Sequence, residues 1–204
     1  MKKLIAAFVG SMALASAPVA LSAEATKELK MAYDADPVTL DIHEQLSGGI
    51  LQLSHMTFDP LLRWTKDLGF EPRLAESWTR VDENTMRFKL REGVTFHSGN
   101  ELTTADVKFT FDRLKQSQDF KAIFKPFSGI NIIDDYTFEL VTSDPYPLLL
   151  NTATYIFPFD SEFYSGQTED GKDKSAILKH GNSFASENLS GTGPYTVFAP
   201  TDSA

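Results

Sequence analysis

The clearest pattern along the chain is a strict alternation of apolar and charged residues over 85–91, with the sequence TMRFKLR. Met86, Phe88 and Leu90 fall on one side of an extended chain, and the residues that follow each of them are basic. A period of two is typical of an antiparallel strand with one buried face. Glu92 and Gly93 then predict a turn.

Further strands are predicted from the same period. Residues 130–133 and 136–141 read as two strands joined by a turn at Asp134 and Asp135. Three shorter extended segments are also predicted: 27–33, 61–64 and 192–199. The segment 165–175 has two glycines and no large apolar residue, which indicates an exposed loop.

A helical pattern begins after Thr103. Val107, Phe111 and Leu114 recur at spacings of four and three and therefore share one face of a helix. Thr103, with Asp106 three residues later, forms the pattern of a capping box, so the helix is predicted to begin there.

A second, shorter helix is predicted after Gly48 and Gly49, where several apolar residues follow within ten positions. Antiparallel strands with scattered helices indicate a mixed fold, α/β or α+β.

The first residues resemble an export signal. Lys2 and Lys3 precede an uncharged apolar run over 4–15, which is too short to span a bilayer. This order predicts a signal peptide over 1–23, cleaved after Ala23, with Ala25 as the second choice. The chain has no cysteine, so no lipid can be attached at the cleavage site. The expected location is the periplasm, without a membrane anchor and without direct insertion into the membrane.

The composition argues against two classes of binding partner. The formal net charge is −9, which argues against nucleic acid and against anionic membrane surfaces. Hydrophobic residues make up 42% of the chain and aromatic residues 12%, so a core can form without disulfides.

A long ordered motif lies between residues 74 and 114, LAESWTRVDENTMRFKLREGVTFHSGNELTTADVKFTFDRL. It closely resembles the defining segment of the extracellular solute-binding proteins of family 5, the dipeptide-, oligopeptide- and nickel-binding group. Residues 36–43 are similar to an early segment of that family, and GTGPY at 191–195 is similar to a later one. Thr104 and Ile42 stand where the family more often has Ala and Pro.

The resemblance implies an incomplete type II periplasmic-binding-protein fold, since members of the family are much longer than this chain. Residues 24–57 and 149–204 would form two parts of the first lobe, 58–148 a small family-specific domain, and the second lobe would be missing. Trp78, Phe96 and Phe111 are expected to be buried together in the small domain. The implied function is the periplasmic component of an ABC importer, a monomer that binds peptides and delivers them to the permease subunits.

The resemblance also implies the ligand-contacting residues. Family members hold a peptide backbone partly with main-chain groups of one loop, in the manner of an added strand. The corresponding loop here consists of Glu44, Gln45, Leu46, Ser47, Gly48 and Gly49. A plain helix-entry loop is an equally good interpretation. Tyr155 and Phe157 are predicted to form part of the pocket wall, and the charged groups that bind peptide termini are expected in the missing lobe.

Other functions stay open. A nickel chelate, haem or an opine-like solute are alternative ligands within the same family. A secreted hydrolase is the alternative of another class, but the sequence has neither a Gly-x-Ser-x-Gly nor a His-Glu-x-x-His motif. The four histidines, at 43, 55, 97 and 180, are too scattered to predict a metal site. We expect neither a resident cofactor nor catalytic residues.

Overall fold

In the computed structural model, residues 37–197 are described. The predicted signal peptide, its cleavage positions at Ala23 and Ala25, and the predicted strand 27–33 lie outside the described residues.

The alternating segments build a four-stranded antiparallel sheet. Its strands are β3, Ala75–Arg80; β4, Thr85–Leu90; β5, Phe127–Asp134; and β6, Thr137–Thr142, and their order across the sheet is β3-β4-β6-β5. Phe88 in β4 lies opposite Trp78 in β3 and Phe138 in β6, so aromatic residues cross the middle of the sheet in one row. Met86, Phe88 and Leu90 are buried, as the alternation predicts.

The predicted helix is α2, Thr104–Gln116, and it begins where its sequence indicates. The carboxylate of Asp106 accepts a hydrogen bond from the backbone N–H of Thr103 at 2.8 Å, and the Thr103 hydroxyl accepts one from Ala105 N–H at 3.3 Å. The other oxygen of Asp106 accepts from Ser161 N–H at 2.8 Å. Asp106 therefore stabilises the helix start and also fixes a distant segment, which confirms its predicted structural role.

The main core lies between the sheet and α2. Phe96 and Phe111 are buried in it, and Trp78 is half-buried and packs against it. The expectation that the three aromatic residues are buried together is confirmed for Phe96 and Phe111, whereas Trp78 packs in the same place but is only half-buried. A second hydrophobic cluster joins the two ends of the described range, and consists of Ile42, Ile50, Phe58, Phe157, Phe159, Tyr164 and Ala185. The predicted domain boundaries at 57/58 and 148/149 stay predictions.

Four shorter units complete the regular structure of residues 37–197, and one of them is a 3-10 helix, Phe184–Ser186. The helix predicted after the glycine pair is α1, Gly48–Thr57. Two short strands, β1, Leu62–Trp64, and β2, Phe70–Pro72, form an antiparallel pair. A one-turn helix, α3, spans Leu149–Ala153. Within the described range, every helix is too short or too polar to span a lipid bilayer.

The strand predicted over 192–199 is wrong for its described part, 192–197, which is not extended in a sheet. The reason lies in its backbone donors. Gly193 N–H donates to Thr57 O at 3.0 Å and Tyr195 N–H to Met56 O at 3.2 Å. These carbonyls at the end of α1 have no partner within the helix, so the segment caps α1 and does not pair with a strand. The predicted loop over 165–175 is confirmed and consists of turns with one isolated bridge.

Candidate ligand-binding site

The loop 44–49 is held from two sides before it enters α1. The buried carboxylate of Glu44 accepts hydrogen bonds from the backbone N–H groups of His180 and Gly181, at 2.6 and 3.3 Å. Both donor residues have positive φ, 63° and 71°, and this conformation turns successive N–H groups toward one acceptor. Leu46 N–H donates to Asp119 at 3.0 Å. Glu44 is therefore a buried anchor of the loop, with its charged group turned inward.

The rest of the loop forms the start of α1. Ser47 is the N-cap, with its hydroxyl 3.4 Å from Ile50 N. Gly48 and Gly49 are exposed, and an added Cβ at either position would meet no heavy atom within 4 Å. Neither has positive φ. The packing of the described residues therefore does not require glycine here. Gln45 is half-buried, and Leu46 packs against the main core.

Tyr155 and Phe157 line an open cleft of about 470 Å³. The ring of Phe157 packs edge-on against His55, with ring centroids 5.1 Å apart. His55 and Leu51 lie four residues apart and so share one face of α1. The lining residues are Leu51, His55, Leu62, Arg63, Trp64, Thr154, Tyr155 and Phe157.

The structure brings two of the eight predicted site residues to this cleft. The loop 44–49 does not line it, but leads into the helix that does. Sequence reasoning missed the contributions of α1 and β1. The spacing of Leu51 and His55 on one helix face was the available signal, whereas Arg63 and Trp64 lie in a strand of three residues too short to show a period.

The cleft carries positive charge. Among its lining residues, Arg63 and His55 are basic and none is a carboxylate. Partial burial lowers the pKa of His55, and the charges of Arg63 and Arg73 lower it further, while Asp59 opposes the shift. The positive charge of Arg63 therefore disfavours protonation of His55 in the same cleft.

A buried ionic group joins α2 to the segment that precedes the loop 44–49. Arg113, on α2, donates to Asp41 at 2.8 Å and lies 2.8 Å from His43 Nδ1. Burial opposes ionisation of Asp41, but the hydrogen bonds and charge of Arg113 hold its pKa below the ordinary value. Burial, and then the charge of Arg113, lower the pKa of His43 to about 3. His43 is therefore a neutral acceptor for the guanidinium, and its Nε2 is buried without a partner among the described residues.

His97 has a structural role, since its ring forms hydrogen bonds with residues 191–193. Its Nε2 lies 2.7 Å from Gly193 O, and its Nδ1 accepts from Gly191 N–H at 3.3 Å. A Cβ at Gly191 would lie 1.9 Å from Thr57 O, so the glycine is needed for this close approach. The described residues contain no group of three or more His, Asp or Glu side chains placed to hold a metal ion.

Comparison with known proteins gives the family. The model of the bacterial extracellular solute-binding proteins, family 5 Middle, matches residues 69–199. The periplasmic oligopeptide-binding protein OppA of Escherichia coli is 24% identical over 220 residues, which cover 95% of this chain and 38% of OppA. The chain spans between 16% and 38% of the length of the curated relatives that it matches.

Two solved structures share the fold. The dipeptide binding protein of Pseudoalteromonas sp. SM9913, in complex with Met-Leu, has a TM-score of 0.65 at 20% identity. The match covers 79% of this chain and 35% of the dipeptide binding protein. NikZ from Campylobacter jejuni, in complex with Ni(L-His), has a TM-score of 0.64 at 21% identity. The match covers 82% of this chain and 32% of NikZ. Both likenesses confirm the periplasmic-binding-protein fold inferred from the motif at 74–114. Because the family model matches more than half of the chain, this protein belongs to the bacterial extracellular solute-binding proteins of family 5.

Proposed function

We propose that this chain forms part of the periplasmic substrate-binding component of an ABC importer, and that its ligands are di- or oligopeptides. The protein would bind its ligand without chemical change and deliver it to the permease subunits. The relative in Escherichia coli is an oligopeptide-binding protein, and one structural neighbour holds the dipeptide Met-Leu. The charged and apolar pattern of residues 1–23 supports export to the periplasm.

The observation that carries the proposal is the aromatic cleft beside α1. Tyr155 and Phe157 line it together with Leu51 and His55, which share one face of α1. Large apolar surfaces with a few polar groups are what small-molecule sites present. The loop 44–49 would add main-chain contacts near the exposed glycines at the start of α1. The hydrogen bonds of the Glu44 carboxylate fix the start of this loop, so the glycines would contact a ligand from a backbone that is already ordered.

Binding of a ligand to the folded state raises its melting temperature. The test is a thermal-shift panel on the protein expressed from its complete gene, with di- and oligopeptides beside a nickel–histidine chelate, haem and an opine. We expect stabilisation by peptides. Stabilisation by the chelate alone would instead favour a metal carrier, the activity that the likeness to NikZ brings into the panel. A panel in which no peptide raises the melting temperature would contradict the peptide proposal.

A further inference from the structure

The cleft reverses the charge of the chain. The protein carries 28 acidic and 19 basic residues apart from histidine, yet the cleft wall contains an arginine, a histidine and no carboxylate. Asp59 is the acid whose charge acts on His55 of this wall, and it contacts residue 192. The backbone N–H of Asp59 donates a hydrogen bond to the Thr192 hydroxyl at 3.1 Å, and this hydroxyl lies 3.5 Å from the Asp59 carboxylate.

The acid that lies opposite Arg63 is paired with another arginine. Arg63 lies directly opposite Glu71 across the β1–β2 pair. The carboxylate of Glu71, however, forms its ion pair with Arg73, at 3.3 Å. Among residues 37–197, Arg63 makes neither an ion pair nor a side-chain hydrogen bond. A guanidinium binds a carboxylate through two parallel hydrogen bonds, which a flexible ammonium group cannot reproduce.

Apolar surface lies next to this charge. Trp64 follows Arg63 in the strand, is 40% exposed, and packs on Phe70 with ring centroids 4.6 Å apart. Phe70 lies opposite Trp64 across the β1–β2 pair, so the two rings form one apolar surface. Trp64 is a lining residue of the cleft, where Tyr155 and Phe157 provide further aromatic surface. A ligand that satisfies both features has an anionic group joined to a large apolar group.

We propose that the cleft binds the C-terminal end of a peptide, with Arg63 pairing with the terminal carboxylate and the aromatic wall receiving a large apolar last side chain. This inference rests on the proposed function and gives it a residue that determines specificity. It differs from the expectation that all groups binding the peptide termini lie in the missing lobe. Arg63 touches the ligand in this arrangement, and His55 adds a polar contact at the same wall.

The test is isothermal titration calorimetry on the full protein with four peptides: Ala-Phe, Ala-Phe-amide, Ala-Ala and Ala-Ala-amide. Wild-type protein should bind Ala-Phe about tenfold or more tightly than its amide, a factor that corresponds to about 1.4 kcal/mol. In Arg63→Gln this preference for the free acid should disappear, with the affinity for the amide unchanged. Ala-Ala should bind more weakly than Ala-Phe in both proteins.

The matched control is Arg87→Gln, which also removes one arginine from a strand. Arg87 pairs with Glu139 at 2.7 Å on the exposed face of the sheet and does not line the cleft. It should keep the preference for the free acid. Circular dichroism melting of both variants checks that each is folded.

The outcomes separate the two proposals. If peptides bind but Arg63→Gln keeps the full preference for the free acid, or if wild-type protein shows no preference, this inference is wrong and the proposed function stands. If no peptide binds to the wild-type protein, both are wrong.

Discussion

Arg113 and Asp41 form a buried ion pair across 72 residues of chain, with side chains 3% and 0% exposed. The pair ties α2 to the segment before the loop 44–49, and Ser183 adds a hydrogen bond to the same carboxylate at 2.8 Å. A buried charge that loses its partner cannot be solvated by water instead. Removal of either side chain therefore leaves the other as an uncompensated charge in the core.

We therefore expect Arg113→Met to lower the free energy of unfolding by about 3–5 kcal/mol, the usual cost of removing one member of a buried pair. The double variant Asp41→Asn with Arg113→Met should lose less than the sum of the two single variants, because the orphaned charge is then absent. Urea denaturation of all four proteins completes the cycle. Additive losses would show that the two groups do not depend on each other.

Acid should destabilise the protein through His43. Its pKa in the folded protein is about 3, against an ordinary value of 6.5, so the unfolded state binds more protons between these values. Stability from this group is fully present above pH 6.5 and is lost as pH falls toward 3. The slope is at most about 1.4 kcal/mol per pH unit. Asp41 and Arg113 are the charged groups that act on His43.

The measurement is urea denaturation at intervals between pH 7.5 and 4. His43→Gln keeps an acceptor for Arg113 but cannot take up a proton in this range. Its stability should fall less steeply with acid than that of the wild-type protein. Parallel profiles of the two proteins would contradict the assignment.

Two glycines provide opposite outcomes for the same substitution. Gly191→Ala should destabilise the protein by about 3 kcal/mol or more, the upper part of the range for overpacking, because the new methyl group would clash with Thr57 O. Gly49→Ala is the matched control, since a Cβ there meets no atom within 4 Å and alanine favours a helix. It should leave the melting temperature unchanged or slightly raised. Equal losses in both variants would refute this interpretation of the close approach.

Tyr155→Ala tests the cleft directly. Tyr155 is half-buried and lines the cleft, so its removal should weaken peptide binding about tenfold or more with a smaller effect on stability. Leu148→Ala is the control, because Leu148 is 53% exposed and does not line the cleft. Calorimetric titration with Ala-Phe measures both. Unchanged affinity in Tyr155→Ala would exclude this wall from the ligand site.

The parts of the fold that were predictable depend on neighbours in sequence. The capping pair Thr103 and Asp106 and the alternation around Phe88 require only residues a few positions apart. The Arg113–Asp41 pair was not predictable, because nothing local indicates which acid will meet a buried arginine. The strand predicted at 192–197 is wrong for the same reason, a contact between residues distant in sequence. The composition of this segment favours a strand, but its N–H groups donate to carbonyls at the end of a distant helix.

The candidate site divides in the same way. Tyr155 and Phe157 were predicted from the family resemblance, and both line the cleft, but their contact with a ligand stays a prediction. Glu44 was predicted as a ligand contact, which stays untested, but its carboxylate faces the chain's own 180–181 turn. Arg63 was missed because a three-residue strand carries too little pattern to place a side chain.

The attachment of residues 191–195 to the end of α1 has a consequence for synthesis. Thr192 follows its partner Asp59 by 133 residues, so the last carbonyls of α1 gain no partner from residues 191–195 until that length of chain has been synthesised. At translation rates of about 5–20 residues per second, this interval is on the order of ten seconds. The carbonyls of Met56 and Thr57 lack these two donors throughout that time, so the end of α1 is completed late in the synthesis of residues 37–197.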